Sequence, residues 1–182
     1  MTKPRFDLDR PVLGRFRLEH LLHASLLLLA AALRLMWLGH RPLHHDESIH
    51  SYYAWRILTV GPSDYRYDPV YHGPALYYLT ALSEWLLGPS EFSARMLAVV
   101  TGLGLIALAW PLRALIGKRQ ALFYAALVTL SPTMSYYSRS LRHDVPIAFF
   151  TLAAVVAFLH FVRSGRRRHA YLAGVADRKS VV

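Results

Sequence analysis

Residues 21–47 read LLHASLLLLAAALRLMWLGHRPLHHDE. Residues 21–38 are predominantly apolar, and a helix of this length, at about 1.5 Å per residue, can cross a hydrocarbon core of about 30 Å. Two adjacent carboxylates, Asp46 and Glu47, follow a few residues after its end. Acids beside a membrane segment are costly, so they usually serve chemistry, ion handling or a specific bond. The stretch therefore predicts a membrane protein with a polar site next to its first span.

The composition agrees with this class. The chain has 182 residues, a net charge of +10 and 54% hydrophobic residues. Its basic residues alternate with long apolar runs, which is typical of the positive-inside bias of membrane proteins rather than of nucleic-acid binding. No RRM, zinc-finger or helix-turn-helix motif is present, so we expect no nucleic-acid partner. The chain has no cysteine, which excludes disulfides, thiolate zinc sites and a cysteine nucleophile.

Four segments are long and apolar enough to span a membrane: 21–38, 94–115, 120–137 and 145–162. A fifth apolar run, 74–87, would reach only about 21 Å as a helix, so we predict that it lies along the membrane interface. The predicted fold is an all-α integral membrane protein, a multi-span helical bundle with about four spans present.

The loop charges test this topology. With four spans, three basic segments lie on the cytoplasmic side, as the positive-inside rule requires: the tail 1–20, the turn at Lys118 and Arg119, and the cluster 163–168. Counting 74–87 as a span would move Lys118 and Arg119 outside. We therefore place the N-terminus in the cytoplasm, with the loops 39–93 and 136–144 on the outer face of the plasma membrane.

The long outer loop is predicted to contain two helices, because a structureless loop of that length would be unusual. Residues 47–60 form one, with Ile49, Tyr53 and Ile57 on one face. The other starts at Pro74 and stops before Gly88-Pro89. These are the interfacial helices of the predicted fold.

Asp46 and Glu47 are the leading candidates for chemistry. A helix N-terminus alone would also explain them, since Asp is a good cap and Glu in the first turn favours the helix dipole. The two interpretations are compatible, because a capped carboxylate is well placed to accept a hydroxyl proton or to bind a divalent ion.

Several other polar residues are predicted on the same side of the membrane. His72, before Gly73-Pro74, is either a solvated turn residue or lies with a helix N-terminus beside an anionic phosphate. Arg34 and Arg95 either snorkel to headgroups or share a polar site with the two carboxylates. The second outer loop carries Arg139, Arg142 and Asp144. Two outer loops, each with an acid and nearby cations, suit a site that holds a phosphate and activates a hydroxyl.

The C-terminal residues receive a separate interpretation. Asp177 to Val182 is what the common sequencing-adapter string GATCGGAAGAGCGTCGTG would encode, so we expect 177–182 to be non-native and 171–182 to be a truncated end. The predicted organisation is then a cytoplasmic basic tail, 1–20, followed by 21–170 as the N-terminal part of a larger membrane domain.

Four strings in order resemble one known group: HHDESIHSYYAWRIL, YDPVYHGPALYYLTAL, GPSEFSARMLAVVTGL and SPTMSYYSRSLRHDVPIAFFTL. They resemble the GT-C superfamily of membrane glycosyltransferases. The likeness is to its protein O-mannosyltransferase and aminoarabinose-transferase-like branch (glycosyltransferase family 39-like), and within it to the flippase-activity-associated subgroup. It covers residues 20–165.

The resemblance implies a GT-C fold and an inverting transfer on the outer face. The donor would be a polyprenyl- or dolichyl-phosphate-linked sugar, and the acceptor a glycan, lipid or protein. By motif match, Asp46 would be the catalytic base or the acid that orients the acceptor, with Glu47 beside it. Metal use varies in the superfamily, and no ligand set here decides whether a divalent metal ion takes part.

The same match assigns the substrate-binding residues. Arg95 would face the donor phosphate, and Arg139 and Asp144 match the second-loop motif. His72 takes the position of a histidine in a His-Pro-Pro segment, although Gly73 replaces one proline.

Two alternatives to an enzyme follow from the same residues. A flippase or transport component would bind the lipid-linked sugar without chemistry. Its transport activity would not depend on a catalytic acid. A non-catalytic membrane scaffold would be insensitive to both Asp46→Asn and Arg139→Ala.

Overall fold

The computed structural model describes residues 7–14, 16–64 and 74–180, and the architecture is helical. A short antiparallel hairpin, β1 (Pro11–Leu13) and β2 (Phe16–Arg17), precedes the first helix. The helices that follow are α1 (Leu18–Leu35), α2 (His45–Thr59), α3 (Pro74–Leu87), α4 (Glu91–Ala107), α5 (Ala109–Ile116), α6 (Lys118–Leu130), α7 (Pro132–Tyr137), α8 (Asp144–Ser164) and α9 (Arg167–Ser180). A 3₁₀ turn, Pro62–Asp64, follows α2. The predicted all-α fold class is confirmed.

Three helical segments of the described chain are long and apolar enough to cross a membrane: Leu18–Leu35, Glu91–Ile116 and Asp144–Ser164. They match three of the four predicted spans. The fourth prediction, a single helix over 120–137, is wrong in form, because the segment breaks at Ser131 into α6 and α7. Pro132 has no N–H to continue the helix, and the Ser131 hydroxyl accepts from Met134 N instead.

Helices α6 and α7 together still run from one end of the bundle to the other. At one end, Lys118 pairs with Asp9, and Arg113 donates to Glu19 Oε1 at 3.2 Å. At the opposite end, Leu141 N donates to Glu47 Oε1 at 2.8 Å. The pair α6–α7 connects these two ends. The described chain therefore passes through the bundle four times, with one of the passes broken.

Small residues let the helices approach closely. Ala30, Ala109 and Ala125 are fully buried with Ile106 where α1, α4, α5 and α6 meet. A Cβ on Gly102 would lie 2.5 Å from the Ser138 hydroxyl, so only glycine fits between α4 and the residues after α7. This packing brings the second predicted loop against the end of α1.

The two helices of the first loop form as predicted. They pack on each other through Ala54, Ile57, Tyr77 and Ala81. Leu76 of α3 then packs with Ala94 of α4 and Leu141. The two helices are thereby fixed at the end of the bundle that carries Glu47 and Leu141.

Candidate functional site

Glu47 is the anchor of the site. It is only 2% exposed. Its Oε1 accepts from Leu141 N at 2.8 Å and from Arg95 Nε at 3.0 Å, and its Oε2 accepts from His44 N and from Arg95 Nη2, both at 2.9 Å. One carboxylate therefore joins the start of α2, helix α4 and the loop before α8.

These bonds decide the charge of Glu47. Burial raises its pKa, but the Arg95 guanidinium and the backbone N–H groups of His44 and Leu141 more than offset that, and the pKa is lowered to about 2. Glu47 is therefore ionised at neutral pH. The N-cap of α2 is His44 rather than Asp46, and Glu47, three residues after it, accepts a hydrogen bond from the His44 backbone N–H.

Arg95 was predicted to face the donor phosphate, but in the structure it binds Glu47 and backbone carbonyls. Besides its two bonds to Glu47, it donates from Nη1 to the carbonyls of Leu38 (2.9 Å) and Arg41 (2.8 Å), and from Nη2 to that of Pro42 (3.1 Å). A guanidinium has five donors, and all five are used. Arg95 is 1% exposed. It positions the loop around Glu47 and offers no free donor to a phosphate.

Asp46, in contrast, is open to solvent. Its side chain is 51% exposed, and its Oδ2 lies 3.8 Å from Arg142 Nη1. Arg142 also donates from Nε to Asp144 Oδ2 at 3.1 Å. The fold thus brings together three predicted site residues from two loops. They form an exposed acid–base cluster, which we call the rim cluster: Asp46, Arg142 and Asp144.

A cationic cavity of about 380 Å³ lies beside the Glu47–Arg95 pair. Its described lining holds three arginines and no carboxylate: Trp37, Leu38, Arg41, Arg95, Pro132, Ser135, Tyr136 and Arg139. Arg139 donates to the carbonyls of Leu33 (3.3 Å) and Met36 (2.7 Å) at the end of α1. Arg41 is half exposed, 3.7 Å from Glu47 Oε2. The cavity can hold an anion.

Arg41 is the functional candidate that the sequence analysis missed. It lies 5.5 Å over the Tyr136 ring, and its Nη2 donates to the Ser140 hydroxyl at 3.4 Å. The available signal was a basic residue between the first span and Asp46. The sequence could not show that the second outer loop would pack against it.

The prediction that Arg34 belongs to the same polar site is wrong. Arg34 is fully buried between helices, where it donates to the carbonyls of Ala30 (3.4 Å) and Val128 (3.1 Å). In a continuous helix, the residue at position 132 would donate its N–H to Val128. Pro132 has none, so Arg34 supplies the missing donor and stabilises the break in the fourth pass.

Two further predictions concern ligands. His72 lies outside the described residues, so its role stays a prediction. Among the described residues, no group of three or more histidines and carboxylates is placed to hold a metal ion. The described site offers an exposed carboxylate, Asp46, and arginines that can bind an anion.

Comparison with known proteins gives one family. The family model described as dolichyl-phosphate-mannose-protein mannosyltransferase matches residues 71–176, more than half of the chain. The matched region includes the cavity residue Arg139 and the rim residues Arg142 and Asp144, and it begins after Asp46 and Glu47. No curated protein and no solved structure matches the chain.

Proposed function

The chain belongs to the dolichyl-phosphate-mannose-protein mannosyltransferase family, and we therefore propose that it transfers a sugar from a polyprenyl- or dolichyl-phosphate donor to an acceptor hydroxyl at the outer face of the membrane. The family match supports a glycosyltransferase-like membrane protein. The acceptor class is a glycan, a lipid or a protein.

One observation carries the proposal: a solvent-accessible carboxylate, Asp46, is the sequence neighbour of a buried one, Glu47, whose arginine partners line a cationic cavity. Glu47 pairs with Arg41 and Arg95, and both of these arginines line that cavity. The position of Glu47 in turn fixes that of Asp46, the residue before it on α2. The donor phosphate would bind Arg41 and Arg139 in the cavity. Arg142 would hold Asp46 in place.

The reaction is a direct displacement. The acceptor oxygen attacks the anomeric carbon, the bond from that carbon to the phosphate oxygen breaks, and the configuration inverts. Asp46 takes the acceptor proton. The lipid phosphate leaves with the electron pair, and the arginines stabilise its developing charge. No covalent enzyme nucleophile is needed.

The location on the outer face rests on charge. The basic end of the bundle contains the N-terminal hairpin and Lys118, and the rim cluster lies at the opposite end. The positive-inside rule favours the basic end in the cytoplasm. A lipid-phosphate donor would then reach the cavity from the outer leaflet of the plasma membrane.

The first test compares wild type with Asp46→Asn in membranes supplied with radiolabelled lipid-phosphate sugars, including the mannose donor. We expect product formation to fall roughly 10²–10⁴-fold, the usual contribution of a positioned general base, while donor binding is kept. Asp64→Asn, in the same loop and paired with Arg56, is the matched control.

The alternative function as a flippase component predicts a different outcome. Equal transfer by wild type and Asp46→Asn would contradict the role of Asp46. If neither forms product while both move the lipid-linked sugar across the bilayer, the transport function replaces the enzymatic one.

A further inference from the structure

A second polar groove lies on the other side of α2. Its volume is about 400 Å³, and it is open to solvent between α2, α3 and the start of α4. The polar and aromatic residues that line it are Ser48, Ser51, Tyr52, Trp55, Glu84, Ser90 and Glu91. Successive residues on a helix are about 100° apart. Because Glu47 faces Arg95, Asp46 and Ser48 lie on opposite flanks of α2, and this groove is distinct from the rim cluster.

Glu84 is an unexplained buried acid at the wall of the groove. It is 1% exposed, and one of its oxygens, Oε1, accepts from the Ser51 hydroxyl at 3.1 Å. The other oxygen, Oε2, is buried and has no hydrogen-bond partner in the described part of the chain. A buried polar atom without a partner destabilises the fold. Glu84 lines the groove, so a ligand there could pair with this oxygen once the carboxyl group turns towards it.

Two aromatic side chains line the other wall. Tyr52 and Trp55 are about half exposed, their ring centroids are 6.3 Å apart and their planes differ by 31°. Arg56 lies 6.0 Å from the Tyr52 ring but is held by two hydrogen bonds to Asp64. The rings present apolar faces next to hydroxyl and carboxyl groups.

The carboxyl, hydroxyl and aromatic groups of the groove indicate which class of ligand it can bind. The carboxylates Glu84 and Glu91 repel phosphates and other anions. Burial raises the pKa of Glu84, and a sugar hydroxyl, which both donates and accepts, can pair with a carboxyl group in either protonation state. The C–H face of a sugar ring fits flat on an aromatic ring. We propose that the groove between α2 and α3 binds a neutral saccharide unit, separately from the reaction at Asp46.

The experiment uses the whole chain in phospholipid nanodiscs, because alkyl-glycoside detergents would themselves occupy the groove. Saturation-transfer NMR and tryptophan fluorescence are measured with α-mannobiose, cellobiose and chitobiose. We expect saturable binding of at least one of them. Trp55→Ala should weaken it roughly tenfold, the effect of losing about 1.4 kcal/mol of stacking.

Trp85→Ala is the matched control, since Trp85 is an exposed tryptophan of α3 outside the groove lining, and its binding should equal that of wild type. Absence of saturable binding by wild type, or equal loss in both tryptophan variants, would overturn the proposal. Stronger binding of glucosamine or of mannose 1-phosphate than of the neutral sugars would overturn the assigned ligand class.

Substitutions of Glu84 separate binding from folding. Glu84→Leu removes the unpartnered oxygen, so it should abolish sugar binding while thermal stability stays equal or rises. Glu84→Gln keeps a donor and an acceptor and should bind within a few-fold of wild type. If Glu84→Leu unfolds the chain, the Gln variant with Trp55→Ala still provides the test. Unchanged binding by a folded Glu84→Leu protein would contradict the role of Glu84.

Discussion

Asp46 and Glu47 are adjacent carboxylates in opposite environments. Since neighbouring positions on a helix differ by about 100°, Glu47 faces α4 and Asp46 faces solvent. The Asp46 side chain is 51% exposed, and that of Glu47 is 3% exposed. The buried acid holds the loop in place, and the exposed acid is accessible from the solvent beside Arg142. Their different exposure follows from the rotation of about 100° between neighbouring helix positions.

The ionisation of Glu47 predicts a pH-dependent stability. Its pKa is depressed in the folded protein, from 4.5 to about 2. Its contribution is therefore complete above about pH 4.5 and is lost as the pH falls towards 2. At 1.36 kcal/mol per pKa unit, about 3 kcal/mol is involved. Unfolding in mixed micelles should show Glu47→Gln less stable at pH 7 and nearly equal to wild type at pH 2.

Glu91→Gln, an exposed acid on α4, is the control for this measurement. Its stability should follow that of wild type over the same pH range. A constant difference between Glu47→Gln and wild type at every pH would show that Glu47 acts through its shape rather than its charge.

At the level of elements, arginines bind carbonyl groups that the helices leave free. Arg139 donates to the last turn of α1, and Arg163 donates to Ala114 (2.6 Å) and Leu115 (3.3 Å) at the end of α5. Cations favour helix C-termini for this reason. Arg34 does the same for Val128 at the break before Pro132. A basic residue at a membrane-helix end is thus not by itself evidence of a phosphate site.

The link between Arg34 and Pro132 can be measured as a coupling. Arg34→Met leaves the Val128 carbonyl without a donor. In a Pro132→Ala background the backbone N–H of residue 132 can bind that carbonyl, so Arg34→Met should cost less. We expect a coupling free energy of about 1–3 kcal/mol, as for a hydrogen bond to a charged group, from unfolding of the four proteins. Additive effects would disprove the compensation.

The whole molecule is organised by its two ends. The N-terminal hairpin and the turn at Lys118 share one end, where Asp9 and Glu19 pair with Lys118 and Arg113. Asp46 and Arg142 share the other. A three-pass arrangement would separate Asp46 from Arg142 by the membrane, which their 3.8 Å distance does not allow. The broken pass α6–α7 is therefore essential to assembling the site.

This topology predicts which positions a membrane-impermeant maleimide can label. The chain has no cysteine, so a single substitution gives an unambiguous signal. With the proposed orientation, Ser63→Cys, in the loop that contains Asp46, should be labelled in intact cells, and Arg168→Cys, after the last pass, only after permeabilisation. Labelling of both from outside would contradict the four-pass topology.

The sequence by itself determined the class of the protein. Apolar runs of spanning length and the alternation of basic segments are local properties, so they predicted a helical membrane bundle and both loop helices. The ordered motifs predicted the family. The predicted division of the chain into domains and the role of His72 stay predictions.

Only the tertiary structure decided which charged residues are free to act. Arg95, Arg34 and Arg139 find their partners roughly 50 to 100 residues away, and periodicity gives the face of a helix but not its neighbour. The break at Ser131-Pro132 is legible in the sequence, whereas the donor that compensates it is not. The fold buried Glu47, exposed Asp46 and added Arg41, because long-range packing determines where a side chain's hydrogen bonds are made.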